Sequence, residues 1–320
     1  MRALNILIWH VHGSWMGAFT AGPHRYWLPV VPGRPEGRKR PAWPATVREV
    51  TPAQARETPL DAVIFQRPAE MELAREYLGD RRAGADVPAL YVEHNAPQGR
   101  INEMRHVLAD RDDVEIVHVT HFNALFWDTG ATATRVIEHG VADPGALYSG
   151  ELERCAVVIN EAERRARVTG TDLLPRFERI APLDRYGIGT PRDLPQPELH
   201  AAIARCRLYL HPFRWTSLGL ALLEAMACGM PVVGLATTEA PYAVPSAAGV
   251  LSNRPDVLEG AVRRLLRDPA EAASMGRAGR EHVLRHYALQ RFLGDWDAAL
   301  AARTGAGVRP PGAGPVPSRI

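Results

Sequence analysis

The chain has 320 residues, 46% of them hydrophobic and 23% charged, with a formal net charge of +2. That length suits two domains better than one core. So slight a charge, with no zinc-finger or helix-turn-helix pattern, argues against nucleic acid as a partner. Cys155, Cys206 and Cys228 are isolated, with no CxxC, which suits a reducing compartment and offers no zinc site. The N-terminus lacks the apolar stretch of a signal peptide, and no run reaches membrane-span length. The expected location is therefore cytoplasmic, with peripheral membrane contact left open. Lys39 is the only lysine, so anion binding falls to arginine, histidine and backbone amides.

In chain order, residues 4–11 form a continuous apolar strand, as at the centre of a parallel sheet. It ends in His12-Gly13-Ser14-Trp15, where the glycine permits close backbone approach. No G-x-G-x-x-G follows, which argues against an NAD-type site. Residues 29–58 read as an irregular Pro/Arg-rich loop with at most a short strand at 47–50. Strands follow at 61–66, 88–93, 114–120 and 135–138, with helices at 68–78 and 123–128. Three of these strands end at histidines: His94, His121 and His139.

The pattern then restarts. Strands are expected at 156–160, 180–183 and 208–210, with helices at 170–177 and 199–206. A last short strand, 250–251, precedes helices at 257–267, 270–286 and 289–302. Alternating strands and helices predict an α/β fold of two Rossmann-like domains facing across a cleft. The expected division is an acceptor domain (1–145), a donor domain (146–288), a helix crossing back to the first domain (289–303) and a disordered Gly/Pro-rich tail (304–320).

The most informative stretch runs from His211 to Gly234. An apolar run leads into a polar loop, Gly219 opens a helix with Leu220, Leu223 and Met226 at helical spacing, and Gly229 and Pro231 stop it. A helix N-terminus reached through Ser217, Leu218 and Gly219 suits a diphosphate. Glu224, on its first turns, suits two ribose hydroxyls.

This stretch resembles the nucleotide-binding half of family 4 glycosyltransferases of the GT-B fold, whose pattern is "ExxGxxxLEAMAxGxPVV". Gly219, Leu223, Glu224, Ala225, Met226, Ala227, Gly229, Pro231, Val232 and Val233 fit it. Leu265 to Pro269, Met275-Gly276 and the Val136 to Val141 stretch fit neighbouring family elements. The resemblance implies a retaining, metal-independent transfer of a sugar from a nucleotide-diphosphate sugar to an acceptor hydroxyl. That donor is a substrate, and no cofactor is implied. The family's E-x7-E pair departs here, because Thr216 stands where the first glutamate, which meets the donor sugar, is expected.

The resemblance assigns the ribose to Glu224 and the diphosphate to the 217–219 amides. It calls for cations after the first strand of the second domain, where Arg165 and Arg167 are the candidates, with Arg164 next. It places His94 at the donor sugar and Gly13 beside the donor phosphate and acceptor. Arg214 and Trp215 are candidates for sugar choice. Two alternatives share these features: a nucleotide-sugar epimerase, and a catalytically inert nucleotide-binding relative.

Overall fold

The computed structural model describes residues 2–30, 37–40 and 42–306. The first half holds β1 (Asn5–Ile8), α1 (Gly13–Phe19), β2 (Arg25–Pro29), β3 (Val47–Val50), α2 (Pro52–Glu57), β4 (Ala62–Phe65) and α3 (Ala69–Leu78). It continues with β5 (Ala89–Glu93), β6 (Val114–His118), α4 (His121–Phe126) and β7 (Thr134–Val136). All seven strands pair in parallel in the order β3-β2-β1-β4-β5-β6-β7. Every residue of β4 is buried, which explains its unbroken apolar sequence: helices cover both faces.

The second half begins with β8 (Leu152–Val158), α5 (Ala162–Arg165), α6 (Leu174–Glu178), β9 (Leu183–Tyr186), α7 (Gln196–Ile203) and β10 (Cys206–His211). After it come α8 (Leu220–Cys228), β11 (Val232–Gly234), α9 (Ala240–Ala243), β12 (Gly249–Leu251), α10 (Pro255–Arg267), α11 (Pro269–His286) and α12 (Leu289–Thr304). Its five strands, also parallel, take the order β12-β11-β10-β8-β9. Gly229 caps α8 with φ of 95°, and Gly276 of α11 packs so closely on the Gly229 carbonyl that a side chain there would collide.

Each sheet reverses its winding direction once, between β1 and β4 in the first and between β8 and β10 in the second. At such a switch point the loops leave in opposite directions and open a crevice beyond the strand ends. The four loops involved begin at Trp9, Gln66, Ile159 and Pro212.

Several boundaries differ from the sequence expectation. α1, β2, α2 and α9 were not anticipated; β2 opens on exposed Arg25 and ends on Pro29, so it lacks the unbroken apolar run that marks β1 and β4. The helix expected at 170–177 is one 3₁₀ turn (Thr171–Leu173) and the five-residue α6, with Pro175 in its first turn. β9 starts three residues late because Ile180 and Ala181 still donate to the Phe177 carbonyl. Thr304 ends α12 rather than opening a tail, and Gly305 caps it in the left-handed region. Residues 307–320 of the expected disordered tail lie outside the described residues.

α12 carries its apolar face back to the first sheet. Phe292, Trp296, Ala299 and Leu300 bury in the same cluster as Trp15 and Phe19, with the Trp296 ring 5.0 Å from Phe19 and 5.7 Å from Trp15. Trp296→Ala is expected to cost about 3–5 kcal/mol in denaturant unfolding, the usual loss for a large aromatic removed from a core.

Buried histidines couple this fold to pH. His118 is fully buried with neither ring nitrogen hydrogen-bonded, and burial, aided by His106, pushes its pKa down to about 4. A folded pKa below the unfolded value of about 6.5 means stability is complete above that pH and lost as pH falls towards 4. The thermal midpoint is therefore expected to drop over that window, and His118→Leu to flatten the slope.

Candidate active site

The second-sheet wall is built on the β10–α8 loop. Gly219 is the helix N-cap and supplies no side chain, so the N-terminal N–H groups of α8 are not capped from within. None of the N–H groups of Leu218, Gly219, Leu220 and Ala221 donates to a described residue. Ser217 does not cap the helix: its buried hydroxyl lies 3.2 Å from the Thr120 hydroxyl of the first half. One turn into α8, Glu224 is buried, its Oε1 accepting from Gln196 Nε2 at 2.8 Å and its Oε2 3.3 Å from His200 Nε2. Gln196 and His200, four residues apart on α7, share one face towards α8. A carboxylate offers about four acceptor sites, so two remain for an incoming diol.

The β8–α5 loop supplies the charge. Its course is strained: Glu161 has φ of 52° and Ala166 φ of 40°, both in the left-handed region. The turn at Ala166 separates the two candidate arginines. Arg167 is exposed and bound to Asp172 at 2.9 Å, and its carbonyl accepts from Arg214. Arg165 makes no ion pair among the described residues, is half-buried, and lies close enough to His12 across the cleft to depress that ring's pKa. Arg164 is held by Glu161. The following 3₁₀ turn (Ala166–Thr169) is strapped to the α8 approach, because Arg214 and Trp215 both donate their N–H groups to the Val168 carbonyl. Of the three arginines, Arg165 is thus the one presented to the cleft.

The first-sheet wall joins the ends of β1, β4 and β5. The His12 and His94 rings stand 4.3 Å apart, and Trp15 meets His94 edge-on at 5.1 Å. His94 is half-buried and His12 is exposed, as befits a cleft wall. Burial pushes His12 down to about 4, with Arg67, Arg165 and His10 adding repulsion; burial, His12 and His139 hold His94 well below the usual histidine range. Gly13 is covered by the Arg40 guanidinium, which a side chain at 13 would displace. Arg40 comes from the stretch read as an irregular loop, and no pattern in the sequence places it beside Gly13.

Three contacts clasp the walls together around α4. Trp215 Nε1 donates to the Pro97 carbonyl at 2.7 Å, with its ring packed edge-on against Phe122. Glu239 accepts from the Phe122 N–H at 2.8 Å, and the Thr120–Ser217 pair completes the set. Neither Arg214 nor Trp215 lies free for sugar choice: Arg214 is bound to Asp172, and Trp215 is the clasp. Half-buried Thr216 sits between two anchored neighbours.

Comparison with known proteins agrees with this geometry. Residues 154–297 match the family described as "Glycosyl transferase-like". Over 68 residues the chain is 44% identical to a Corynebacterium glutamicum GDP-mannose-dependent monoacylated alpha-(1-6)-phosphatidylinositol monomannoside mannosyltransferase, covering 21% of this chain and 18% of the relative. Over 111 residues it is 37% identical to a GDP-mannose-dependent alpha-(1-6)-phosphatidylinositol monomannoside mannosyltransferase of Mycolicibacterium smegmatis, covering 32% and 28%. The matches thus span less than a third of either curated relative's length.

Among solved structures, the sucrose-phosphate synthase of Thermosynechococcus elongatus superposes with a TM-score of 0.72 at 15% identity, over 96% of this chain and all of that one. Anabaena HepE in complex with UDP and glucose gives 0.68 at 12% identity, over 94% and 100%. The chain has the GT-B fold, and it resembles family 4 glycosyltransferases. No helix among the described residues is long and apolar enough to cross a membrane.

The strain at Ala166 is directly testable. Its φ of 40° and ψ of −113° favour glycine. Ala166→Gly is expected to raise unfolding stability by roughly 1 kcal/mol in denaturant titration.

Proposed function

We propose that this chain is a hexosyl glycosyltransferase that moves a sugar from a nucleotide-diphosphate sugar to an acceptor hydroxyl, with retention of configuration and without a metal ion. One observation carries this reading: N–H groups at the start of α8 and the guanidinium of Arg165, all without partners among the described residues, and the carboxylate of Glu224 gather at one switch point. Their spacing suits a diphosphate followed by a ribose. The GDP-mannose dependence in both curated relatives' names, and the UDP in the HepE title, support a nucleotide-sugar donor. GDP-mannose is the first donor to test.

In the proposed reaction the acceptor oxygen bonds to the anomeric carbon as the carbon–diphosphate bond breaks. The acceptor proton passes to the leaving phosphate on the same face of the sugar. The α8 N–H groups and Arg165 stabilise the charge that develops there, which a cation would otherwise have to meet. His94 faces the sugar across the cleft, and Thr216 offers a hydroxyl where the family resemblance leads one to expect a carboxylate. Gly13 and the arginine above it border the acceptor side. The N-terminal half is assigned to the acceptor, the C-terminal half to the donor, and a cytoplasmic site of action suits the free cysteines.

An epimerase of the same fold would want a carboxylate beside the sugar. Glu93, adjacent to His94, is buried and taken up by His106 at 3.0 Å and the Asn95 N–H at 2.7 Å.

The test is thermal stabilisation by GDP, UDP, ADP and dTDP, followed by transfer or donor hydrolysis with the matching sugar nucleotide. One nucleotide is expected to stabilise the chain. Glu224→Ala is expected to abolish that shift and Arg165→Ala to weaken binding about tenfold or more, the loss of one charge-assisted contact. Arg167→Ala should leave binding near wild type. His94→Ala is expected to lower turnover while sparing nucleotide binding. Nucleotide binding without turnover on any donor would instead favour the inert relative, and unchanged binding by Glu224→Ala would remove the ribose assignment.

A further inference from the structure

The residue behind His94 decides which of its ring nitrogens meets the cleft. The Gln66 side-chain amide lies 2.6 Å from the Trp9 carbonyl oxygen and 2.9 Å from His94 Nε2. A backbone carbonyl only accepts, so the group facing Trp9 is the amide NH₂. The amide oxygen then faces His94, and because that oxygen also only accepts, Nε2 must carry a proton. A neutral imidazole has one N–H, which leaves Nδ1 bare. Among the described residues Nδ1 has no hydrogen-bond partner, and the half-buried His94 ring stands beside His12 on the cleft wall.

We propose that Gln66 is a positioning residue that holds His94 as the Nε2-protonated tautomer, so that His94 meets substrate through Nδ1 as a hydrogen-bond acceptor only. The inference rests on the reading of His94 as a substrate contact given above, and it adds the chemistry of that contact. The group that meets His94 is a donor, such as a sugar hydroxyl, and His94 supplies no proton to the leaving group.

Gln66 is fixed at both ends. Its backbone N–H donates to Glu70 Oε2 at 2.7 Å, Arg67 N–H donates to the same oxygen at 3.2 Å, and the side-chain amide also touches Met16 Sδ at 3.5 Å. Both Gln66 and Glu70 are buried. The titratable groups that reach His94 are His12 from the β1–α1 loop and His139 from the loop after β7, and Arg67 and Arg165 stand beyond His12. Among the described residues no carboxylate shifts the ring towards its charged form; Glu70, which burial pushes up to about 7, is turned to the Gln66 and Arg67 N–H groups. A glutamate at 66 would be the same size but would supply that carboxylate, set an acceptor against the Trp9 carbonyl and draw a second proton onto the imidazole.

Two measurements test this. In the wild-type chain, histidine ring ¹⁵N spectra should show His94 as the Nε2–H tautomer, not titrating between about pH 5.5 and 8. In Gln66→Glu, His94 should titrate within that window, and kcat should fall about tenfold more than wild type's as pH drops, recovering at high pH with KM for the donor little changed. A wild-type ring protonated at Nδ1, or titrating near its ordinary value, overturns the proposal whether or not the variant folds. A folded Gln66→Glu chain with the wild-type pH profile overturns it as well. If the tautomer is as stated but His94→Ala transfers sugar at the wild-type rate, the substrate contact fails while the hold of Gln66 on the ring stands.

Discussion

Everything in this molecule follows from parallel strand pairing. A parallel sheet forces each connection to cross over, and the crossover helices bury both faces. Only the strand ends remain open, and only where the winding reverses do two loops part and leave a crevice. This chain makes that reversal twice, at β1/β4 and at β8/β10, and its candidate site residues gather at those two gaps. The sheet order thus selects which loops carry chemistry before any side chain is considered.

The two gaps face each other because of a few polar contacts and one helix. α12 fills the first core with Phe292 and Trp296, and the Val141 N–H donates to the Tyr287 carbonyl at 2.9 Å where the two crossings meet. Trp215, Ser217 and Glu239 then grip α4 and its approach. Single hydrogen bonds of this kind each contribute about 1 kcal/mol, little enough to part when the cleft opens. The same short loop that bears the α8 N–H groups also bears two of the clasp residues. Residues 215–219 therefore belong at once to the start of α8 and to the contacts between the two halves.

Electrostatically, the walls differ in kind. The second wall holds Arg165, without an ion pair among the described residues, on the loop beside α8 and a buried carboxylate, Glu224, further along the helix. The first wall holds both rings below the usual histidine range, His94 through burial and its neighbours His12 and His139, and His12 through burial, Arg67 and Arg165. A neutral ring can accept a hydrogen bond and brings no positive charge to the wall. Strain at Glu161 and Ala166 is confined to the loop that aims Arg165, the usual place for it in a functional fold.

The sequence by itself determined the α/β class, the helical period and caps of α8, and the placement of Glu224 one turn beyond a glycine-led helix start. Those features are local, set by spacing along the chain and by the conformational demands of Gly229 and Pro231. Tertiary structure alone decided what each loop residue does. It set the Ser217 hydroxyl and the Trp215 indole into a clasp, paired Arg167 with Asp172, and laid Arg40 over Gly13. It also placed Gln66 behind His94. Each of these depends on a partner between 5 and more than 100 residues away, and a side chain's partner at that separation is chosen by strand order and domain closure. Neither leaves a period in the sequence to read.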